Sequence, residues 1–341
     1  TSYPIATERI GDRFYYLKRH GVFLVAGMLF FAIIQYLPYA WFRKLSLPAF
    51  CVAIILLALT VFSPLGKLAG GAYRWIVIGG IRFQPSEIAR LTSIVLLAHV
   101  LANKARTIGD FEKGLALPLS LIGIVSLLIL CEPDFGSSVS IALTGLVLLY
   151  VAGAKMKHLL GLVTLALPAI AFLAISSPYR VKRLMTFMNP WEDPLGKGFQ
   201  IIQSFIAVRS GGLFGKGLGD GVQKYFYLPE AHTDFSFAIL AEELGFIGVM
   251  LTLTLFIVLV GRGALISMRA KDRFDAILAS GLAFSIGIQA FTTIGVVTGL
   301  LPTKGLVLPL LSSGGTSLVI TFMSVGLLNR IATRPKRRNY A

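Results

Sequence analysis

The chain is short of charge, of acids and of cysteine. Only 14% of its 341 residues are charged, against roughly 25% in a soluble domain. That is too little to cover a water-facing surface, which excludes the pair of soluble domains that length alone suggests at about 150 residues each. Acids are scarcest: 16 Asp+Glu stand against 32 Lys+Arg, a net charge of +16. Such a balance can serve nucleic acid. Here, however, the basic residues sit between apolar runs, where they orient membrane segments and meet anionic head groups, so no nucleic-acid partner is expected. The two cysteines, Cys51 and Cys131, fall in apolar runs and imply no disulfide framework. The four histidines show no zinc spacing, and the polar first twenty residues do not read as a signal peptide. What the chain has is apolar surface: 55% hydrophobic residues and a mean hydropathy of +0.78. It reads as an all-α polytopic membrane protein, a single transmembrane domain over residues 1–341.

A helix needs about 20 mostly apolar residues to cross the hydrocarbon core. Nine runs qualify: 21–39, 47–63, 85–102, 115–131, 136–153, 159–176, 235–260, 276–296 and 306–328. An odd number puts the termini on opposite sides, and the positive-inside rule decides which is which. One set of alternate connections holds Arg43, Lys44, Lys104, Arg106, Lys113, Lys155, Lys157, Arg262, Arg269, Lys271, Arg273 and the tail Arg330, Arg334, Lys336, Arg337 and Arg338, sixteen in all. The other, apart from one long loop, holds eight: Arg9, Arg13, Lys18, Arg19, Lys67, Arg74, Arg82 and Lys304. The basic tail 329–341 is therefore expected in the cytoplasm and Thr1 outside. An outside start at Thr, with no signal peptide, suggests a tenth span upstream; an engineered start accounts for it equally.

The long outside connection, 177–234, is too rich in Phe, Ile, Leu and Trp for disorder. Phe199, Ile202, Phe205 and Ile206 fall at helical spacing, so a short amphipathic helix on the outer interface is expected there. Asp234 stands where this loop meets the seventh run, after His232 and Thr233. At the interface such a carboxylate can serve as a general base or as a helix N-cap. Glu87 and Arg90 share a helix face behind Pro85. They either neutralise each other or present Arg90 as a permanent cation to a carboxylate or pyrophosphate. Glu132 and Asp134 occupy a turn between spans, ordinary connector chemistry or a weak divalent-cation pair. Glu242 and Glu243, deeper in the seventh run, suit polar contacts between helices, or a proton path. GGLFGKGLGDG lacks the GxxxxGK[ST] pattern, so no nucleotide is expected, and LSSGGTS suits tight packing in the last span.

Five stretches, GGAYRWIVIGGIRFQPSE, EPDFGSS, NPWEDPLGKGFQIIQS, YLPEAHTDFSFAILAEELG and LPTKGLVLPLLSSGGTS, come in this order over nearly the whole chain. The sequence thereby resembles the SEDS family of membrane glycosyltransferases in bacterial peptidoglycan synthesis. The QK before YLPEAHTDF and the LPTKG segment favour its cell-division branch over the elongation branch; a sporulation paralogue shares much of this. The resemblance implies ten spans and polymerisation of lipid II, at the outer face of the inner membrane and at the septum. Asp234 matches the family's essential carboxylate and Glu87 the acid of its QPSE motif. Arg90 stands where Lys is usual, which puts in doubt any step needing a neutral amine; Ser313 stands where Tyr is common. Arg183, Lys197, Arg209, Lys216, His232 and Lys304 are the substrate-binding candidates, the loop cations facing the lipid pyrophosphate. A divalent cation, Mg2+ or Mn2+, is a further candidate for that charge. Implied partners are a class B penicillin-binding protein and other divisome proteins. A lipid II flippase, with Glu87, Arg90, Glu242 and Glu243 along its path, and a non-catalytic scaffold for the transpeptidase are the competing functions.

Overall fold

The computed structural model describes residues 11–12, 14–69, 72–79, 81–196, 198–225, 228 and 233–334. Lys197 and His232, and with them the tail beyond Arg334, lie outside the described residues.

Helices stand at all nine expected positions. They are α1 (Tyr15–Tyr36), α3 (Ser46–Phe62), α4 (Pro85–Asn103), α5 (Ala116–Cys131), α6 (Phe135–Val151), α7 (Met156–Ile175), α10 (Ser236–Arg269), α11 (Arg273–Val297) and α12 (Gly315–Ala332). Seven are long and apolar enough to cross a membrane, counting α5 with the π-helical turn Phe111–Leu115 before it; α3 and α6 are shorter apolar helices. Shorter still are α2 (Ala40–Lys44), α8 (Pro178–Met188) and α9 (Phe199–Ser210). The chain divides into two compact units, one of Thr1–Val22, Met156–Val258 and Gly287–Leu318, the other of Phe23–Lys155, Leu259–Ile286 and Val319–Ala341.

In the second unit, Phe50, Ala53 and Leu57 of α3, Ala89 and Leu96 of α4, Val125 and Ile129 of α5 and Ile141 of α6 form one buried cluster. These residues recur at helical spacing, so each helix turns one stripe inward and leaves the rest for lipid. Polar clamps close one edge of this unit: Arg334 Nη1 reaches Asp275 Oδ2 at 2.7 Å, Arg43 pairs with Asp272, and Tyr39 donates its hydroxyl to Asp275. Burial and that bond to Asp275 push the Tyr39 hydroxyl well above its ordinary range.

Two departures from the expected architecture have clear causes. Residues 66–83 form a small antiparallel sheet, β1 (Gly66–Ala69), β2 (Ala72–Ile78) and β3 (Ile81–Phe83), paired Gly66 to Ile76 and Ile76 to Phe83. Among the described residues the fold is thus helical with one small sheet. Tyr, Trp, Ile and Val between glycine pairs favour strands, and Ile76 is buried while Tyr73 is half exposed, the alternation a one-sided sheet requires.

The ninth run also begins late. α12 starts at Gly315, and residues 301–314 are not helical. Pro302, Pro309 and Gly314 oppose a helix, yet Leu306 and Leu308 are buried. The apolar composition records burial inside protein, where irregular backbone is tolerated at membrane depth if its polar groups are satisfied. They are: Gln289 Nε2 of α11 donates to Val307 O at 3.2 Å, and Thr293 Oγ1 donates to Leu306 O at 3.2 Å.

Candidate active site

Asp234 lies in the first unit, half-buried, two residues before α10 begins at Ser236. The N-cap position therefore falls to Phe235, and Asp234 stands one residue ahead of it. Its neighbours fix the backbone from both sides. Leu228, Phe235, Phe237, Ala238 and Ile239 are buried in one cluster with Ala207 of α9, Ala290, Val296 and Val297 of α11, and Leu308. Below Asp234, the Ser236 and Ser312 hydroxyls meet at 2.6 Å, and Ser312 Oγ also accepts from Leu308 N at 2.8 Å. The SSGG segment is thus tied to the first turn of α10. Sequence reading placed it in the packing of the last span and missed this link. The signal available was two adjacent hydroxyls between Pro309 and the glycines, where a buried polar group must find a partner.

The expected interfacial helix is α9, but it turns a different face inward. Ile201, Ile202, Ser204 and Ala207 are buried, Ile206 is 41% exposed, and Ser204 Oγ donates to Val297 O at 2.8 Å. α9 is a core helix. α8 carries the amphipathic pattern instead, with exposed Leu184, Met185 and Met188 beside Lys182.

The substrate-binding candidates part company. Arg183 Nη1 of α8 donates to Thr303 O at 3.3 Å, next to Lys304, so two of the cations share one neighbourhood. Arg209 lies in the last turn of α9 and is exposed. Lys216 pairs with Glu242 at 2.8 Å, a partner no sequence spacing announces. Glu242 and Glu243 were expected to make polar contacts between helices; Glu242 does meet Ser210 Oγ of α9 at 3.4 Å, but most of their bonds go to the glycine-rich loop, which is described below.

In the second unit, Arg90 Nη2 holds Glu87 Oε2 at 2.6 Å in the first turns of α4, both largely buried. Pro85 takes the first helical position as expected, but neither Gln84 nor Ser86 caps the helix: Gln84 makes no cap bond, and Ser86 Oγ is buried without a partner. Removing one member of a buried pair strands the other. Arg90→Ala is therefore expected to destabilise the protein by about 3 kcal/mol, and Glu87→Gln/Arg90→Ala by clearly less than the sum of the single changes. A thermal-unfolding cycle checks this; additive losses would show that the pair does not interact.

Asp134 is an N-cap. It accepts from Ser137 N at 3.1 Å and Ser137 Oγ at 2.8 Å, and Arg74 Nε of β2 lies 3.8 Å away while Arg74 Nη2 donates to Pro133 O. Glu132 beside it is fully buried with both carboxyl oxygens unpartnered. Among the described residues no group of three or more His, Cys, Asp or Glu side chains is placed to hold a metal. With Asp134 committed to Ser137 and a guanidinium adjacent, this turn does not fit a divalent cation.

The family described as FTSW_RODA_SPOVE, cell cycle protein, matches residues 1–337. A "Probable peptidoglycan glycosyltransferase FtsW" of Geobacter metallireducens is 41% identical over 97% of this chain and 88% of its own. Stage V sporulation protein E of Bacillus subtilis is 42% identical over 96% and 89%. Among solved structures, a chain of a peptidoglycan synthase complex that coordinates polymerization and crosslinking superposes with a TM-score of 0.77 at 32% identity, over 92% of this chain and 88% of that one. The rod shape determining protein RodA of Thermus thermophilus gives 0.69 at 31%, over 93% and 87%. The chain belongs to the FtsW/RodA/SpoVE family and is a multi-pass membrane peptidoglycan glycosyltransferase.

Proposed function

We propose that this chain polymerises lipid II into glycan strands at the outer face of the cytoplasmic membrane during septal wall synthesis, with Asp234 as general base. The observation that carries this reading is the setting of Asp234: a half-buried carboxylate on backbone pinned by Leu228, Phe235 and Phe237. A base held this firmly can meet a hydroxyl in reacting geometry. Asp234 takes the proton of the acceptor sugar's 4-hydroxyl as its oxygen bonds to the donor's anomeric carbon. The bond from that carbon to the lipid pyrophosphate breaks, and the pyrophosphate leaves with the electron pair. Arg183 and Lys304, which share one neighbourhood, are the first candidates to meet the leaving charge, with Arg209, Lys197 and His232 as further binding candidates. Mg2+ or Mn2+ would supply additional neutralisation; the Glu132–Asp134 turn does not hold it, and no step passes through it.

The orientation, C-terminus in the cytoplasm, is supported by the sixteen-to-eight division of basic residues. The division role is supported by the FtsW relatives. A class B penicillin-binding protein and further division proteins are the partners this reading implies, supported by the likeness to a chain from a synthase complex. A transport path through Glu242 and Glu243 is disfavoured because Lys216 and two backbone amides hold Glu242 and Lys224 holds Glu243. Purified with its transpeptidase and supplied with lipid II, the chain is expected to produce a ladder of glycan strands on a gel. Movement of lipid II between leaflets with no glycan formed would replace this function by transport.

A further inference from the structure

α10 is 34 residues long and broken at Gly245, whose φ of +64° and ψ of −163° leave the helix. The break separates an arm, 236–244, from the long apolar segment 246–269. A break orphans carbonyls on one side and amides on the other. The glycine-rich loop that follows α9 supplies the missing partners. Lys216 N and Gly217 N donate to Glu242 O and Glu243 O at 3.0 and 3.1 Å, and Phe246 N and Ile247 N donate to Gly212 O and Leu213 O at 2.9 and 3.2 Å. The contact is too close for side chains: a Cβ on Gly245 would stand 2.3 Å from Gly215 N, and one on Gly215 would stand 2.1 Å from Glu243 O.

Two acids lock the loop there. Glu242, fully buried, accepts from Lys216 Nζ at 2.8 Å, Val222 N at 3.0 Å, Gln223 N at 3.1 Å and Ser210 Oγ at 3.4 Å. Glu243 accepts from Lys224 Nζ at 2.8 Å, with both side chains buried; Lys224 also donates to Gly219 O. An unbroken helix would satisfy the same backbone without two buried carboxylates, glycines with positive φ and a fourteen-residue loop. The break leaves an arm tied to the loop at Glu242 and Glu243 and packed into the core cluster at Phe237, Ala238 and Ile239. Asp234 stands just ahead of that arm's first residue, Ser236.

We propose that Glu242 and Glu243 are positioning residues for the polymerisation: by clamping the loop 211–224 into the break at Gly245 they orient the arm of α10 and hence the Asp234 carboxylate. The proposal rests on the reading of Asp234 as the base. A displacement of about 1 Å at a catalytic group can cost on the order of a hundredfold in rate, while sugar contacts made elsewhere are kept. Lowered turnover at unchanged substrate affinity is therefore the signature.

The test measures amide hydrogen exchange over 211–224 and 241–248 together with glycan synthesis by the chain and its transpeptidase. Glu242→Ala is expected to lose about tenfold or more in exchange protection at Lys216, Gly217, Phe246 and Ile247, and about tenfold or more in kcat, with KM for lipid II within about twofold. Lys216→Met, a milder change at a one-third exposed lysine, is expected to show the same split more weakly, and Lys216→Arg to restore both; this pair decides the matter if Glu242→Ala fails to fold. Lost protection with unchanged kcat overturns the proposal, and so does a lower kcat with the loop still protected. Asp234→Asn at the full rate sinks the base assignment itself, and it is read with the loop still clamped, so the two failures are distinguishable.

Discussion

Asp234→Asn is expected to lower glycan polymerisation by about 10²- to 10⁴-fold, the usual contribution of a positioned general base. At 1.36 kcal/mol per tenfold this is about 3 to 5 kcal/mol of lost transition-state stabilisation. Asparagine keeps the shape of the side chain and an acceptor oxygen but cannot take a proton at any working pH. The surroundings should move little, because the segment is also held by Leu228, Phe235, Phe237 and the Ser236–Ser312 contact. Thermal stability and KM for lipid II are therefore expected to stay near their original values while kcat falls. Asp234→Glu, which restores a base one methylene out of place, should recover part of the rate. Lipid II consumption in the presence of the transpeptidase measures all of this. An Asp234→Asn protein within about threefold of the original rate would remove Asp234 from the chemistry.

How much of this was legible in the sequence depended on whether the signal was local. Helix positions were legible because a span must be continuously apolar, and α4, α5 and α6 fall within a few residues of their runs. Pro85 announced its place at a helix start for the same local reason. Segment 306–314 misled because burial in protein and immersion in lipid select the same residues; only Pro302, Pro309 and the SSGG turn argued otherwise. β2 went unread because AYRWIVI, in the connection between two runs, lacks the strict apolar–polar alternation that marks a strand. Lys216 with Glu242 and Lys224 with Glu243 were unreadable in principle, since their separations of 26 and 19 residues follow no helical or strand period. The two adjacent acids of AEELG inside an apolar helix did announce polar contacts, but the glycine beside them was not read as a break. Buried charge demands partners, and the glycine marked where they enter.

Glu132 carries a second large effect, in stability. Its carboxyl is fully buried in the turn between α5 and α6, with neither oxygen bonded. Burial first, and then the neighbouring Asp134, push it from 4.5 up to about 8, with Arg74 pulling weakly the other way. Between those two values the folded protein holds a proton that the unfolded chain has released, so stability falls as pH rises. The loss begins near pH 4.5 and levels off above about pH 8. At 1.36 kcal/mol per pH unit it reaches about 3 kcal/mol at pH 7 and at most about 5 kcal/mol. Glu132→Gln removes the ionisation and keeps a neutral polar group of the same size. It is expected to match the original protein near pH 5 and to be the more stable by several kcal/mol at pH 8. Thermal unfolding of the two proteins across this range measures the gap. Labelling by an apolar carbodiimide, which reacts with the protonated carboxyl, should fall away with a midpoint near pH 8. A gap that stays constant from pH 5 to pH 8.5, or labelling lost near pH 4.5, would show that Glu132 is ionised in the folded protein and that its oxygens are satisfied.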